Sequence, residues 1–311
     1  MSKHAHIREL LDAGYDDESI ISSTDRWMIR VADIKWNRKH YNPVTDNATA
    51  PRRPRPTTKL GETDEERADR ITRQYRTLER MASRIIEGKL PALIVSGPPG
   101  LGKTYTIEQK LEESGKNVDV VRGTISGVGL YTALWHMSEG GVVVLDDCDA
   151  VFRDEETLNI LKIALDSSEK RIISWRKNAS WLKDNDIPDS FEFKGSVVFC
   201  TNIDFEAEIN RASKLSVHYQ ALVDRSLYLC LTLRSIEDYL VRIHQVVIDE
   251  LQFEARGLSA DTALETMEFI RDNAAQFYTL SIRSALQVAS CRLMDEENWQ
   301  DDVRATKMRT L

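Results

Sequence analysis

The sequence predicts an α/β protein: a parallel sheet with helices on both faces, followed by a region of helices alone. Three observations lead there. Between Thr63 and Leu233, short apolar runs of strand length alternate with helical patterns, as buried parallel strands and their crossover helices require. A glycine-rich turn, GPPGLGKT, separates the first of these runs from the helix after it. After Ser235 the strand runs stop and only helical periodicities remain.

Residues 1–41 read as short helices. Ile7, Leu10 and Leu11 share one face, Gly14 breaks the pattern, DDESIISS starts an acidic-capped turn, and a third helix is expected from Thr24 to His40. The stretch 42–61 holds four prolines and almost no large apolar residue, which predicts an extended linker made basic by Arg52, Arg53, Arg55 and Lys59. A charged helix from about Thr63 to Glu87 then leads into LPALIVSG, the first strand. Further strands are expected at 118–123, 141–147, 196–202 and 227–233, and helices at 236–251, 263–274 and 280–294. No run approaches the roughly 18 apolar residues of a membrane span, and the N-terminus has no apolar signal core, so a cytoplasmic protein is expected. Cys148, Cys200, Cys230 and Cys291 are widely spaced and sit mostly in apolar runs, the pattern of buried free thiols. His4 and His6 have no visible partners for a metal site. The net charge of -8 is uneven, with residues 1–60 net basic and the remainder acidic, so charge excludes neither nucleic acid nor polypeptide partners.

Gly97 to Thr104 match G-x-x-x-x-G-K-[ST] between a strand and a helix. In such a loop successive backbone N–H groups curl around a phosphate. The expected contacts are Gly97, Pro98, Pro99, Gly100, Leu101, Gly102, Lys103, Thr104 and Tyr105, with Lys103 reaching the β- and γ-oxygens of ATP and the Thr104 hydroxyl ligating Mg²⁺. Some forty residues on, VVVLDDCD looks like a Walker B strand. Asp146 is expected to hold Mg²⁺, directly or through water, and Asp147 to act as the base toward the attacking water. Asn202 ends the strand SVVFCTN, where its amide can orient that water.

On these motifs, residues 62–295 resemble an AAA+ ATPase module. The resemblance implies a five-stranded parallel sheet of order 5-1-4-3-2, a core over 62–234, a helical lid and tail over 235–311, and assembly into a ring or helical oligomer, a hexamer in the usual case, with ATP between neighbours. Carried onto this chain, Asn202 resembles sensor 1, Arg225 in ALVDRSLYL the arginine finger, and Arg283 in LSIRSAL sensor 2; Arg211 is a rival for the finger. The family usually has Glu after the metal-binding Asp, whereas this chain has Asp147, one methylene shorter, which puts its base role and a brisk hydrolysis rate in question.

Between the Walker B strand and Asn202, residues 171–194 read as strand, loop, strand, and resemble the hairpin inserted before sensor 1 in ring helicases and several unfoldases. Its Arg176, Lys177 and Lys183 beside Trp175 and Trp181 suit phosphate contact and base stacking; tryptophans packed on the module are the alternative. The region GTISGVGLYTALWHM lacks a clear aromatic pore loop of the protein-threading kind, and the compact build resembles ATPases of phage and mobile-element replication. The expected function is therefore helicase-like: ATP-driven loading, translocation or remodelling on DNA or RNA in the host cytoplasm. A polypeptide remodeller and a slow nucleotide switch are the other readings. Residues 1–41, with Arg26, Trp27, Arg30, Lys35, Arg38 and Lys39, suit either a helix-turn-helix or an adaptor for a partner protein.

Overall fold

A computed structural model describes residues 62–177, 180–211 and 213–309. The expected N-terminal helices, the Pro-rich linker and both N-terminal histidines lie outside the described residues.

Helix α1 (Asp64–Ile86) begins at a capping box. The Thr63 hydroxyl accepts from the Glu66 N–H (3.2 Å), the Glu66 carboxylate accepts from the Thr63 N–H (3.0 Å), and three acidic residues occupy the first turn. Its buried stripe of Ile71, Tyr75, Leu78, Ala82 and Ile85 recurs at three- and four-residue spacing and turns the helix onto the sheet. There follow β1 (Ala92–Ser96), α2 (Lys103–Ser114), β2 (Val118–Arg122), α3 (Gly127–His136), β3 (Val142–Asp146), α4 (Glu155–Ala164), β4 (Ile172–Ser174), α5 (Ser180–Asp184), β5 (Ser190–Glu192), β6 (Ser196–Thr201), α6 (Phe205–Asn210), α7 (Ser216–Asp224) and β7 (Leu227–Cys230).

The five long strands lie in the order β2-β3-β6-β1-β7 and pair in parallel throughout. With the short β4–β5 hairpin set aside, this is the expected order 5-1-4-3-2. Alternation along the strands sorts side chains to two faces. Ile94, Val143, Leu145 and Phe199 join Tyr131 and Phe152 on one side, while Leu93, Val95, Val142 and Val144 join Ile71, Leu78 and Ile107 on the other. The strand expected over 227–233 stops at Cys230: Leu231 N–H still donates to Ser96 O (2.8 Å), but β1 ends at Ser96 and offers nothing further to pair with.

Strands β4 and β5 are antiparallel, and their hairpin is tied down by aromatic rings from α3. Tyr131 lies 5.8 Å from Trp175 and 5.0 Å from Phe191, Trp135 lies 5.5 Å from Phe191, and the Tyr131 hydroxyl donates to Pro188 O (2.7 Å). Trp175 is therefore core, which corrects its reading as a stacking residue, while Trp181 on α5 is half exposed.

Beyond Ser235, helices α8 (Ile236–His244), α9 (Ala260–Asp272), α10 (Ile282–Met294) and α11 (Trp299–Lys307) gather around a separate core that includes Ile243, Phe253, Ile270, Val288 and Val303. The expected long helix over 236–251 changes to a π-helical turn at Gln245–Asp249, and α11 was absent from the sequence expectations. Among the described residues no helix is long and apolar enough to cross a membrane.

Candidate nucleotide site

Register decides what meets at the carboxyl edge of the sheet. Ser96 pairs with Thr201, and Asp146 with Cys200 and Arg122, so the loop after β1, Asp147 after β3 and Asn202 after β6 emerge side by side. The turn after β1 needs its glycines. A Cβ on Gly97 would meet Leu231 O at 2.7 Å, and one on Gly100, where φ is +73°, would meet Ser281 Cβ at 2.9 Å.

Lys103 opens α2 and is buried. Its ammonium donates to Gly97 O (2.6 Å), Pro98 O (2.9 Å) and Asn202 Oδ1 (3.0 Å), all neutral acceptors, and burial lowers its pKa. A buried cation whose hydrogen bonds go only to neutral oxygens, at the N-terminus of a twelve-residue helix, suits an anionic ligand. The Thr104 hydroxyl donates to Asp146 Oδ1 at 2.7 Å, which brings together two hard oxygen donors of the kind Mg²⁺ takes. The residues present thus fit Mg²⁺ and a polyphosphate. Asp147 stands next to them with φ at +51°, a left-handed conformation that aspartate tolerates better than most residues, and Asn202 Nδ2 donates to its Oδ1 (2.9 Å). The loop carrying Asn202 is held from below: Thr201 Oγ1 donates to Asp149 Oδ1 (2.5 Å) and accepts from Ile203 N–H (3.0 Å).

The lid reaches the same loop. Ile282 N–H donates to Gly100 O (3.0 Å), and Arg283 with Pro99, Gly100, Ser281, Gln287 and Lys307 lines a cleft of about 310 Å³. Arg283 has no hydrogen-bond or ion-pair partner among the described residues. A neighbouring cleft of about 300 Å³ has walls of Pro98, Pro99, Arg234, Ile236, Tyr239 and Leu280, apolar enough for a planar ring. Tyr105 is exposed beside Thr104, and Cys200, whose thiol burial pushes up to about 12, lies under Lys103 as a packing residue.

Arg225 is elsewhere. Leu93 pairs with Leu227, so Arg225 sits at the amino edge of the sheet, on the order of 15 Å along the strands from its own phosphate loop. Its Nε faces Asp166 Oδ2 at 3.5 Å. Arg211 is exposed and paired with Glu208. In the hairpin, Lys177 is paired with Glu156, whereas Arg176 and Lys183 are exposed with no partner among the described residues.

Sequence reasoning missed three cations. Arg122, the last residue of β2, approaches Asp146 Oδ2 with Nε at 3.6 Å and also pairs with Glu108. Buried Arg242 of α8 comes within 3.8 Å of where a Gly102 Cβ would be, and Lys307 of α11 joins the cleft beside Arg283. Arg122 becomes visible only once β2 is known to lie beside β3, since its register with Asp146 depends on that pairing.

No family model matches the chain. It is 36% identical over 245 residues, 77% of this chain and 75% of the other, to a protein of Enterobacteria phage T4 described as an uncharacterized 36.7 kDa protein in the nrdC-mobD intergenic region. A shorter stretch of 108 residues, 29% of this chain and 32% of the other, is 30% identical to the replication factor C small subunit of Methanosarcina barkeri. Among solved structures, the RuvB Holliday junction branch migration motor of Thermotoga maritima aligns over 76% of this chain and 68% of its own at 14% identity, with a TM-score of 0.43. Domain III of the replication initiation protein DnaA from the same organism aligns over 74% and 85% at 14% identity, with a TM-score of 0.40. Identity at the level shared with the phage T4 protein, over three quarters of both chains, makes the two members of one family, and a phosphate loop after β1, flanked by β6 and the edge strand β7 in a sheet ordered 5-1-4-3-2, makes that family part of the AAA+ ATPases.

Proposed function

We propose that the chain hydrolyses ATP as an oligomer, a ring or helical assembly with the hexamer as its expected form, and uses the turnover to load, move or remodel something on nucleic acid in phage-like replication or recombination. One observation carries the reading: Lys103, Thr104, Asp146, Asp147 and Asn202 converge at one edge of the sheet, while Arg225 lies at the other, out of reach of its own phosphate loop. A site built this way is complete only when a second copy brings its Arg225 to it.

Bound Mg²⁺·ATP supplies the phosphoanhydride and the metal charge that polarises it. Lys103, now on carbonyl oxygens, would meet the β- and γ-oxygens, and Thr104 and Asp146 would hold the metal directly or through water. Asp147 accepts the proton of the attacking water, and Asn202, bonded to both Lys103 and Asp147, fixes where that water sits. Arg283 from the lid meets the phosphates in the same subunit, and the cleft by Ile236, Tyr239 and Leu280 takes the adenine.

For the substrate, exposed Arg176, Trp181 and Lys183 on the hairpin support nucleic acid, as does the partial identity to a replication factor C subunit. Residues 1–41, on the basic linker 42–61, would add a DNA-binding or partner-docking arm to the core at 62–234 and the lid from 235. A slow nucleotide switch is the second reading, favoured by the short Asp147 side chain in a left-handed backbone. ATPase rate against protein concentration, with and without single-stranded DNA, duplex DNA and RNA, tests both. Stimulation by a nucleic acid supports the first, and tight ATP binding with negligible turnover in every condition supports the second.

A further inference from the structure

The segment that joins α4 to the hairpin does more than connect. Arg171, at its hairpin end, donates from Nη1 to Ala164 O at its other end (2.7 Å) and from Nη2 to Gly195 O, just before β6 (2.9 Å), with its guanidinium 5.0 Å from the Phe193 ring. Within that braced loop Asp166 Oδ1 accepts from Ser168 N–H (2.9 Å), which leaves Oδ2 turned to Arg225. The hydrogen bonds from Ser168 first, and then the Arg225 guanidinium, hold the Asp166 carboxyl below its ordinary range, so it is charged at neutral pH.

Arg225 itself makes one hydrogen bond and one ion pair, the Nε atom having no hydrogen-bond partner among the described residues. Nη1 donates to Ala221 O (3.0 Å), back along α7, and Nε faces Asp166. Nη2 has no partner among the described residues. A guanidinium hydrogen-bonded through Nη1 to its own helix and drawn toward Asp166 on its Nε side presents its Nη2 edge away from both. That matters because a flexible arginine has to be ordered before it can stabilise charge on another subunit's phosphate, and ordering it beforehand removes that cost from the transition state.

We propose that Asp166 is a positioning residue for Arg225: it orients the guanidinium so that its free Nη2 edge faces a second copy of this chain, at that copy's phosphate loop. The inference rests on the shared-site reading given under the proposed function.

Steady-state turnover of the full chain, measured at protein concentrations high enough for assembly, tests it. Asp166→Ala and the isosteric Asp166→Asn should each lower kcat by about 10-fold to 100-fold, the loss expected when a reacting group is misplaced by an ångström or so. KM for ATP and the protein concentration at half-maximal rate should stay put, and Asp166→Glu should recover part of the rate. Thermal midpoints should not move, since the pair is a third or more exposed. In an Arg225→Ala background the Asp166 substitutions should cost nothing further, because the group they orient is gone. Unchanged kcat in both Asp166 variants, or an undiminished second loss on top of Arg225→Ala, overturns the inference while leaving the shared site intact. Wild-type turnover in Arg225→Ala alone overturns the shared site and this inference with it.

Discussion

The Arg242 guanidinium lies 3.6 Å from the centroid of the Tyr75 ring, and the Tyr75 hydroxyl donates to Leu101 O in the phosphate loop at 2.6 Å. A helix of the C-terminal bundle thus touches the loop through one aromatic side chain of α1. Gln245, at the start of the π-helical turn, adds bonds from Nε2 to Ala68 O (3.3 Å) and Thr72 Oγ1 (3.0 Å) on that same helix. Burial raises the Tyr75 pKa, so the hydroxyl remains a proton donor at any working pH.

This chain of contacts predicts coupling between lid and loop. Tyr75→Phe keeps the ring under Arg242 but strands the Leu101 carbonyl, at a cost of about 1–3 kcal/mol. Arg242→Ala removes a desolvated cation–π contact of about 2 kcal/mol and opens space beside Gly102. Both should lower the urea midpoint and weaken binding of a fluorescent ATP analogue. Normal nucleotide affinity in both variants would show that the lid and the loop are independent.

The chemistry divides between binding and turnover. Lys103→Ala should weaken ATP binding, since it removes a buried cation that is hydrogen-bonded to the loop's own carbonyls. Asp147→Asn should spare binding and slow turnover: asparagine tolerates the +51° backbone as well as aspartate does and can still accept from Asn202, but it takes up no proton. Hydrolysis at the wild-type rate in Asp147→Asn would remove Asp147 from the role of base.

Much of this site is legible in the sequence because its parts are local. The phosphate loop, the aspartates after VVVL and the asparagine after SVVFC each sit at the end of an apolar run, and parallel pairing then brings those run ends to one edge. What escapes the sequence is whatever depends on partners far along the chain. Trp175 looks available beside two cations until Tyr131 and Phe191 are known to enclose it. Lys177 looks free until Glu156 is beside it. Helix α11 was missed because its core-facing side is short, with Trp299 and Val303 alone buried within it. The π-helical turn leaves no periodic mark, and the contact of Gln245 at its start with α1 joins residues far apart along the chain.

Subunit mixing examines the trans arrangement directly. Arg225→Ala should lower turnover by about 10³ or more if the arginine acts on a neighbour's γ-phosphate. Rate per subunit should rise with protein concentration in the wild type. Mixing Arg225→Ala with Lys103→Ala subunits should restore part of the rate, because some mixed interfaces pair an intact arginine with an intact phosphate loop. No recovery in mixtures shown to co-assemble would argue that each subunit works alone.

The hairpin yields the sharpest statement about substrate, because its residues differ in what they are free to do. Arg176 and Lys183 are exposed and without partners among the described residues, so each should contribute about 0.7 to 0.9 to the slope of log affinity against log salt, depending on strandedness. Lys177 already faces Glu156 and should contribute less. Trp181 is 49% exposed, so Trp181→Ala should cost about 1–3 kcal/mol of single-strand affinity and little stability. Trp175→Ala should do the reverse, destabilising the protein by about 3–5 kcal/mol through the cavity it leaves beside Tyr131. Basal ATPase should survive the triple replacement of Arg176, Lys177 and Lys183 by Ala, since none of them touches the phosphate loop. If that variant binds single-stranded DNA with unchanged affinity and salt slope, the hairpin is not the contact, and a chain lacking residues 1–60 locates it. Loss of binding there assigns the nucleic acid to the N-terminal arm, whereas absence of binding in the full chain as well points to a polypeptide client.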